Sequence, residues 1–259
     1  MIDDKTRKKI EVMREAGKVL GEVLGEVLRA VKPGVTEIEL DRLAERLILE
    51  KGGESGFKKV DGYAHTICVS TNDVVVHGIP KDRVLNEGDI IGIDCGVYLN
   101  GFHTDMAETV VVGKTTNPKI IRFLEIGKKA MYYGILQAKA GRRVGNISQA
   151  MQEQIERIGG YSVVRSLVGH GVGKELHEDP EIPGYIEKEI RSTPVLSEGM
   201  TIAVEIIYNM GKGDVQYDGS DDWTISSTDR SLAGLFERTI LVTPEGPELI
   251  TCFPGETLL

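Results

Sequence analysis

The sequence predicts an α+β fold in a single domain spanning residues 1–259. Three observations predict it. Helical periodicity and strand-like runs come in blocks, in the order helices, strands, helices, strands. No low-complexity linker divides the blocks. The second strand block echoes the first: "GDIIGIDCGVYLNGF" with "ETVVVG", and "GMTIAVEIIYNMGKG" with "RTILVTPEG", each open on turn residues, run through a strand bearing one acid, turn and return. A duplication of this kind would set two strand-borne pairs of acids across one central cleft.

Each element has a local reason. Asp3 or Asp4 caps a first helix, in which Ile10, Met13, Gly17, Leu20, Leu24, Val27, Leu28 and Val31 recur at steps of three and four until "KPGV" ends it. Thr36 and Glu39 stand at the spacing of a capping box, and Leu40, Leu43, Leu47 and Ile48 carry a second helix to Gly52 and Gly53. From Tyr63 the pattern turns to strands, "HTICVST", "DIIGIDCGVYL" and "ETVVVG", separated by the turn signals "NEGD" and "LNGF". "GKTTNPK" has a Gly-Lys-Thr string without the preceding glycine spacing of a phosphate loop, and reads as a turn. Asn117 and Pro118 open a helix expected to reach about Ala140, and "NISQAMQEQIERIGG" reads as another. "TIAVEIIY" and "GLFERTILVT" are the last strands.

Composition narrows the function. A hydrophobic content of 41% supports a real core, and a formal charge of -9 gives no broad basic face for a phosphate backbone, so nucleic acid is not expected as a ligand. Cys68, Cys95 and Cys252 are odd in number and lack CxxC spacing, which points to a reducing compartment, with the cytoplasm as the default. No secretory leader or membrane-spanning run is expected.

The chemistry lies in acids placed where acids are costly. Asp94 stands among Ile91, Ile93 and Val97, Glu205 among Ile202, Val204, Ile206 and Ile207, and Glu237 within "LFERTILV". With Asp105 these make four carboxylates on apolar strands, with Arg238 as the cation nearest in sequence, and such a gathering repels itself unless a metal ion compensates. Of five histidines, His170 and His177 frame the glycine-rich "GHGVGKELHEDP", where backbone can approach a ligand closely. No HExxH pair is present. Carboxylates with one imidazole suit Mn, Fe, Co or Zn. His103, beside Asp105, reads as a strand residue, and Cys252 carries no functional signal.

"NDVVVHGIP", "IGIDCGVYLNGFHTD", "GHGVGKELHEDP", "TIAVEIIYN" and "LFERTILVT", in that order, resemble the motifs of the type I methionine aminopeptidases, a pita-bread metallopeptidase family, and the resemblance covers essentially the whole chain. It implies two pseudo-symmetric αβ halves with curved antiparallel sheets around a central metal cleft. It also implies two divalent metal ions: Asp94 chelating one, His170 and Glu205 the other, and Asp105 and Glu237 bridging both. A hydroxide held between them would attack the first peptide carbonyl, with Glu205 to take and return the proton, His177 facing the carbonyl oxygen and His77 the scissile amide nitrogen. Tyr63, Cys68 and Trp223, flanked by Phe57 and Leu176, would line the methionine pocket. The implied substrates are peptides and nascent chains beginning with methionine, handled by a monomer whose own surface would have to supply any ribosome contact. The chain departs from the common pattern at Arg238, where many members have histidine, at Ala64 and His65, and at Leu176, where phenylalanine is commoner.

Two rival expectations follow from the same residues. A proline-specific aminopeptidase or dipeptidase would share the fold, and a non-catalytic protein-binding relative would keep the fold but lose ligands, of which all five are present here. The short run between His177 and Glu205 leaves no room for the helical insertion of type II enzymes.

Overall fold

The caps set out in the sequence start the helices. In the computed structural model, which describes residues 2–219 and 221–258, the Asp3 carboxylate accepts the Thr6 N–H at 2.7 Å and opens α1 (Asp4–Ala30). Thr36 and Glu39 form the reciprocal box that opens α2 (Glu37–Glu50). Asn117 caps α3 (Pro118–Ile135), which stops short of the expected Ala140 because the chain turns over Gln137–Ala140 into Gly141 at φ 86°. α4 (Val144–Gln152) begins two residues before "NISQ", its start fixed by the Asn146 side chain accepting the Arg143 N–H. It then widens into a π-helical stretch, Glu153–Gly159, that ends at left-handed Gly160.

Thirteen strands follow among the described residues. In the first half these are β1 (Glu54–Ser55), β2 (Ile67–Thr71), β3 (Val74–Val76), β4 (Ile90–Leu99) and β5 (Phe102–Val111). In the second half they are β6 (Ser162–Val163), β7 (Gly169–Gly171), β8 (Glu178–Ile182), β9 (Thr201–Asn209), β10 (Val215–Tyr217), β11 (Ile225–Ser227), β12 (Ala233–Val242) and β13 (Pro247–Leu249). "LNGF" makes the tight hairpin between β4 and β5, with Asn100 and Gly101 both at positive φ. The main sheet is antiparallel throughout and runs β1-β4-β5-β12-β9-β7-β8, so the two strand blocks meet where β5 lies beside β12. β10, β11 and β3 form a small second sheet.

Each half of the main sheet buries one face under its own helices. Ile91, Ile93, Cys95 and Val97 of β4 pack with Leu20, Leu24 and Val27 of α1 and Leu40 and Ile48 of α2. Ile202, Val204, Ile206 and Tyr208 of β9 and Phe236 and Ile240 of β12 pack with Phe123 and Met131 of α3 and Ile147 and Met151 of α4. Residues of opposite parity therefore face away from the helices. Among the described residues no helix is long and apolar enough to cross a membrane.

Candidate metal centre

That alternation assembles the site. Asp94 falls between Ile93 and Cys95 and so points off the helix layer, and the register carries its face across the sheet. Cys68 lies opposite Asp94, Asp94 opposite Ala107, Ala107 opposite Glu237, and Glu237 opposite Glu205. Asp105 stands two residues before Ala107, and Ala203 two before Glu205; His170 pairs with Ala203. The five expected ligands thus come from five strands, β4, β5, β7, β9 and β12, onto one face. Asp105, His170 and Glu237 are buried, while Asp94 and Glu205 keep part of their surface toward the cleft.

The carboxyls are close enough to oppose one another's ionisation. Burial, then the charges of Asp105 and Glu205, push Asp94 well above the usual carboxylate range. Burial raises Asp105 to about 7. Burial and then Asp105 raise Glu205 to about 8. Glu237 is lifted well above its ordinary value by burial first and then by the other three acids. Ligand atoms of Asp105, His170 and Glu237 lie within 4.8 Å of one another, and Asp94 Oδ1 and Glu237 Oε1 are buried with no hydrogen-bond partner. Buried acceptor oxygens without donors are costly, and a divalent cation is what this donor set fits. His170 is prepared for it: its Nδ1–H donates to the Gly171 carbonyl at 2.9 Å, leaving Nε2 to take the cation. Asp105 is held by its backbone, its N–H donating to Thr239 Oγ1 at 2.9 Å while the hydroxyls of Thr239 and Thr251 donate to its carbonyl.

Two more histidines reach this region. His77 follows β3 at φ 55°, a left-handed conformation in which a side chain is strained. The exposed His177 ring packs edge-on against His170 with centroids 4.4 Å apart. Burial, then the neighbouring His177, lowers His77 and His170 to about 4, and burial lowers His177 as well, so all three favour the neutral form.

Beside the acids lies an apolar cluster. Phe57, Tyr63, Cys68 and Leu176 form one buried cluster, with Trp223 half-buried against it. The Tyr63 ring lies 6.2 Å from Phe57 and 5.0 Å from Trp223, both edge-on. Gly96 sits opposite Asp105, and a Cβ there would stand 2.8 Å from the Phe57 ring, so glycine is what lets Phe57 close on the ligand-bearing strand. Val60 and Ile79 also join the cluster and were not expected; Ile79, two residues after His77, could have been inferred from its distance to that histidine. His65 packs edge-on against Tyr63 with centroids 6.0 Å apart and sets Nδ1 3.4 Å from an Asp41 oxygen. His103 stacks on Tyr98 at 4.8 Å, as a strand residue. Arg238, next to Glu237, projects to the opposite face and leaves the site to the acids.

The sequence matches metallopeptidase family M24 over residues 11–244. It is 43% identical to a methionine aminopeptidase of Clostridium acetobutylicum over 97% of this chain and 99% of that protein. Its fold superposes on the crystal structure of a methionine aminopeptidase from Thermotoga maritima with a TM-score of 0.91 at 37% identity, covering 97% of this chain and all of that one. A prolidase from Pyrococcus furiosus shares the pita-bread fold at a TM-score of 0.76 and 24% identity, with the match covering 65% of its length.

Proposed function

The chain belongs to metallopeptidase family M24, and from that premise we propose that it hydrolyses the first peptide bond of peptides and nascent proteins that begin with methionine. The observation that carries this reading is a shared wall. Cys68 belongs to the apolar cluster and lies opposite Asp94 in the acid-bearing sheet, so a substrate side chain received among these residues would bring its own backbone to the acids. An unbranched thioether suits a pocket walled by Phe57, Tyr63, Cys68, Leu176 and Trp223.

In this reading Asp94 would hold one divalent ion and His170 and Glu205 a second, with Asp105 and Glu237 serving both, the ions being drawn from Mn, Fe, Co and Zn. Such a pair supplies Lewis acidity and a water acidic enough to ionise near neutrality. The protein does the rest. The substrate's free α-amine would bind at the metal site, which limits cleavage to the first residue. Glu205, ionised once the cations are bound, would accept the proton of the attacking water and return it to the leaving amine. Neutral His177 donates to the carbonyl oxygen as charge develops there, and His77 faces the amide nitrogen. The enzyme works as a cytoplasmic monomer.

The test is release of free methionine from a Met-Gly-Ser-Met peptide by metal-stripped protein, titrated with each ion, beside Asp105→Asn and an Ala-Pro peptide. Metal-dependent loss of the first residue alone, abolished by Asp105→Asn, is the expected result. Cleavage of Ala-Pro only would move the chain to the proline-specific enzymes, and no turnover with any ion would make it a non-catalytic relative.

A further inference from the structure

The two halves of the sheet, each bearing part of the ligand set, meet along a short ladder. Among the described residues it runs only from Glu237–Ala107 to Arg238–Met106. Asp94 and Asp105 lie on one side of this seam and Glu205, Glu237 and His170 on the other, so the seam governs how far apart the two groups of ligands stand.

Arg238 spans the seam from behind. Its side chain is fully buried, and its Nη1 donates both to Ala107 O at 3.1 Å and to Glu237 O at 2.8 Å, the carbonyls of the two residues that face each other across the seam. Nη2 meets Glu108 of β5 at 2.7 Å, and Nε meets Glu256 at 2.9 Å. Glu256 belongs to the C-terminal tail, accepts the Phe253 N–H and is bonded by Tyr132 of α3, while the Phe253 ring lies 4.9 Å from the guanidinium. Glu108 is held in turn by Lys128 of α3. A planar fork with every donor direction engaged is the side chain suited to such a clamp; a lysine point charge cannot reach both carbonyls and both acids.

We infer that Arg238, held by Glu256 of the tail, is a positioning residue for the metal centre: by tying Ala107 O to Glu237 O it fixes the separation of the strands that carry Asp105 and Glu237, and so sets metal affinity from the face opposite the ligands. This rests on the metal reading above. Residues that orient ligands without touching the ion are worth about ten- to a hundredfold in metal affinity.

The test uses metal-stripped wild type, Arg238→Lys and Glu256→Ala. Mn affinity is measured by competition with a fluorescent chelator, and the metal-free thermal midpoint is recorded at the same pH. The expected result is a Mn dissociation constant raised about ten- to a hundredfold in Arg238→Lys, and raised less in Glu256→Ala, which keeps the bonds to Glu108 and to both carbonyls. Folded variants that bind Mn as tightly as wild type, with only the midpoint lowered, would reduce Arg238 to a structural ion pair and overturn the inference. If Arg238→Lys does not fold, unchanged Mn affinity in Glu256→Ala overturns it. Wild type that binds no divalent ion would overturn the metal reading instead.

Discussion

His177 and His77 flank the acids without joining them, so their loss should separate chemistry from metal binding. The exposed His177 ring sits over His170, and burial keeps both His77 and His177 biased to the neutral form, in which a ring N–H can still donate. His177→Ala is expected to lower kcat about 10²- to 10³-fold, the usual loss for one donor to a developing oxyanion, while Mn affinity stays within twofold. Steady-state kinetics on Met-Gly-Ser-Met and chelator competition check the two halves of that statement. Leu176, buried in the pocket wall, acts on selectivity instead. Leu176→Ala should cut the preference for methionine over norvaline-like shorter side chains by on the order of tenfold, read as a ratio of kcat/KM values.

At the scale of strands, the positions of the ligands follow from parity. Asp94 alternates with Ile93 and Cys95, and Glu237 with Phe236 and Arg238, so period two alone assigns the acids to one face and Arg238 to the other. The acids on apolar strands were legible in the sequence, together with caps at Asp3 or Asp4, Thr36 and Asn117 and the turn at Asn100–Gly101, whereas the face taken by Arg238 emerged only from the structure. The left-handed backbone at His77 was not, because no local pattern demands it and the surrounding β3, β11 and β2 packing imposes it. The partners of Arg238 were equally hidden, since Glu108 and Glu256 lie 130 and 18 residues away. Thr239 is a sharper case, a strand residue whose hydroxyl bonds both backbone groups of Asp105. Thr239→Val keeps the shape and β propensity but leaves a buried N–H unpaired, at a cost of about 1–3 kcal/mol. A fall in the metal-free midpoint of roughly 2–4 °C per kcal/mol is the expected outcome by calorimetry.

For the molecule as a whole, the acids make the metal-free fold sensitive to pH in a direction opposite to ordinary acid denaturation. Asp105 and Glu205 hold their protons to about 7 and about 8 in the folded chain, and Asp94 and Glu237 are also raised well above their ordinary range, whereas the unfolded chain releases them near the usual 3.8 and 4.5. Groups with raised folded values contribute stability that is full below the unfolded value and lost as the pH rises through the folded one. His77, His103 and His170, lowered to about 4, and His177, also lowered, work the other way, and their contribution levels off as the pH rises past the ordinary 6.5. Between pH 6.5 and 8 the acids outweigh the histidines, and metal-free protein should lose up to about 1.4 kcal/mol per pH unit for each proton the folded state retains beyond the unfolded one. A divalent ion replaces those protons and binds only the folded chain, so at a hundredfold excess over its dissociation constant it adds about 2.7 kcal/mol and the pH dependence reverses as proton competition falls. Thermal midpoints across this window, with and without Mn, test the sign. A metal-free midpoint that rises from pH 6.5 to 8 would mean the four carboxyls do not share one low-dielectric site.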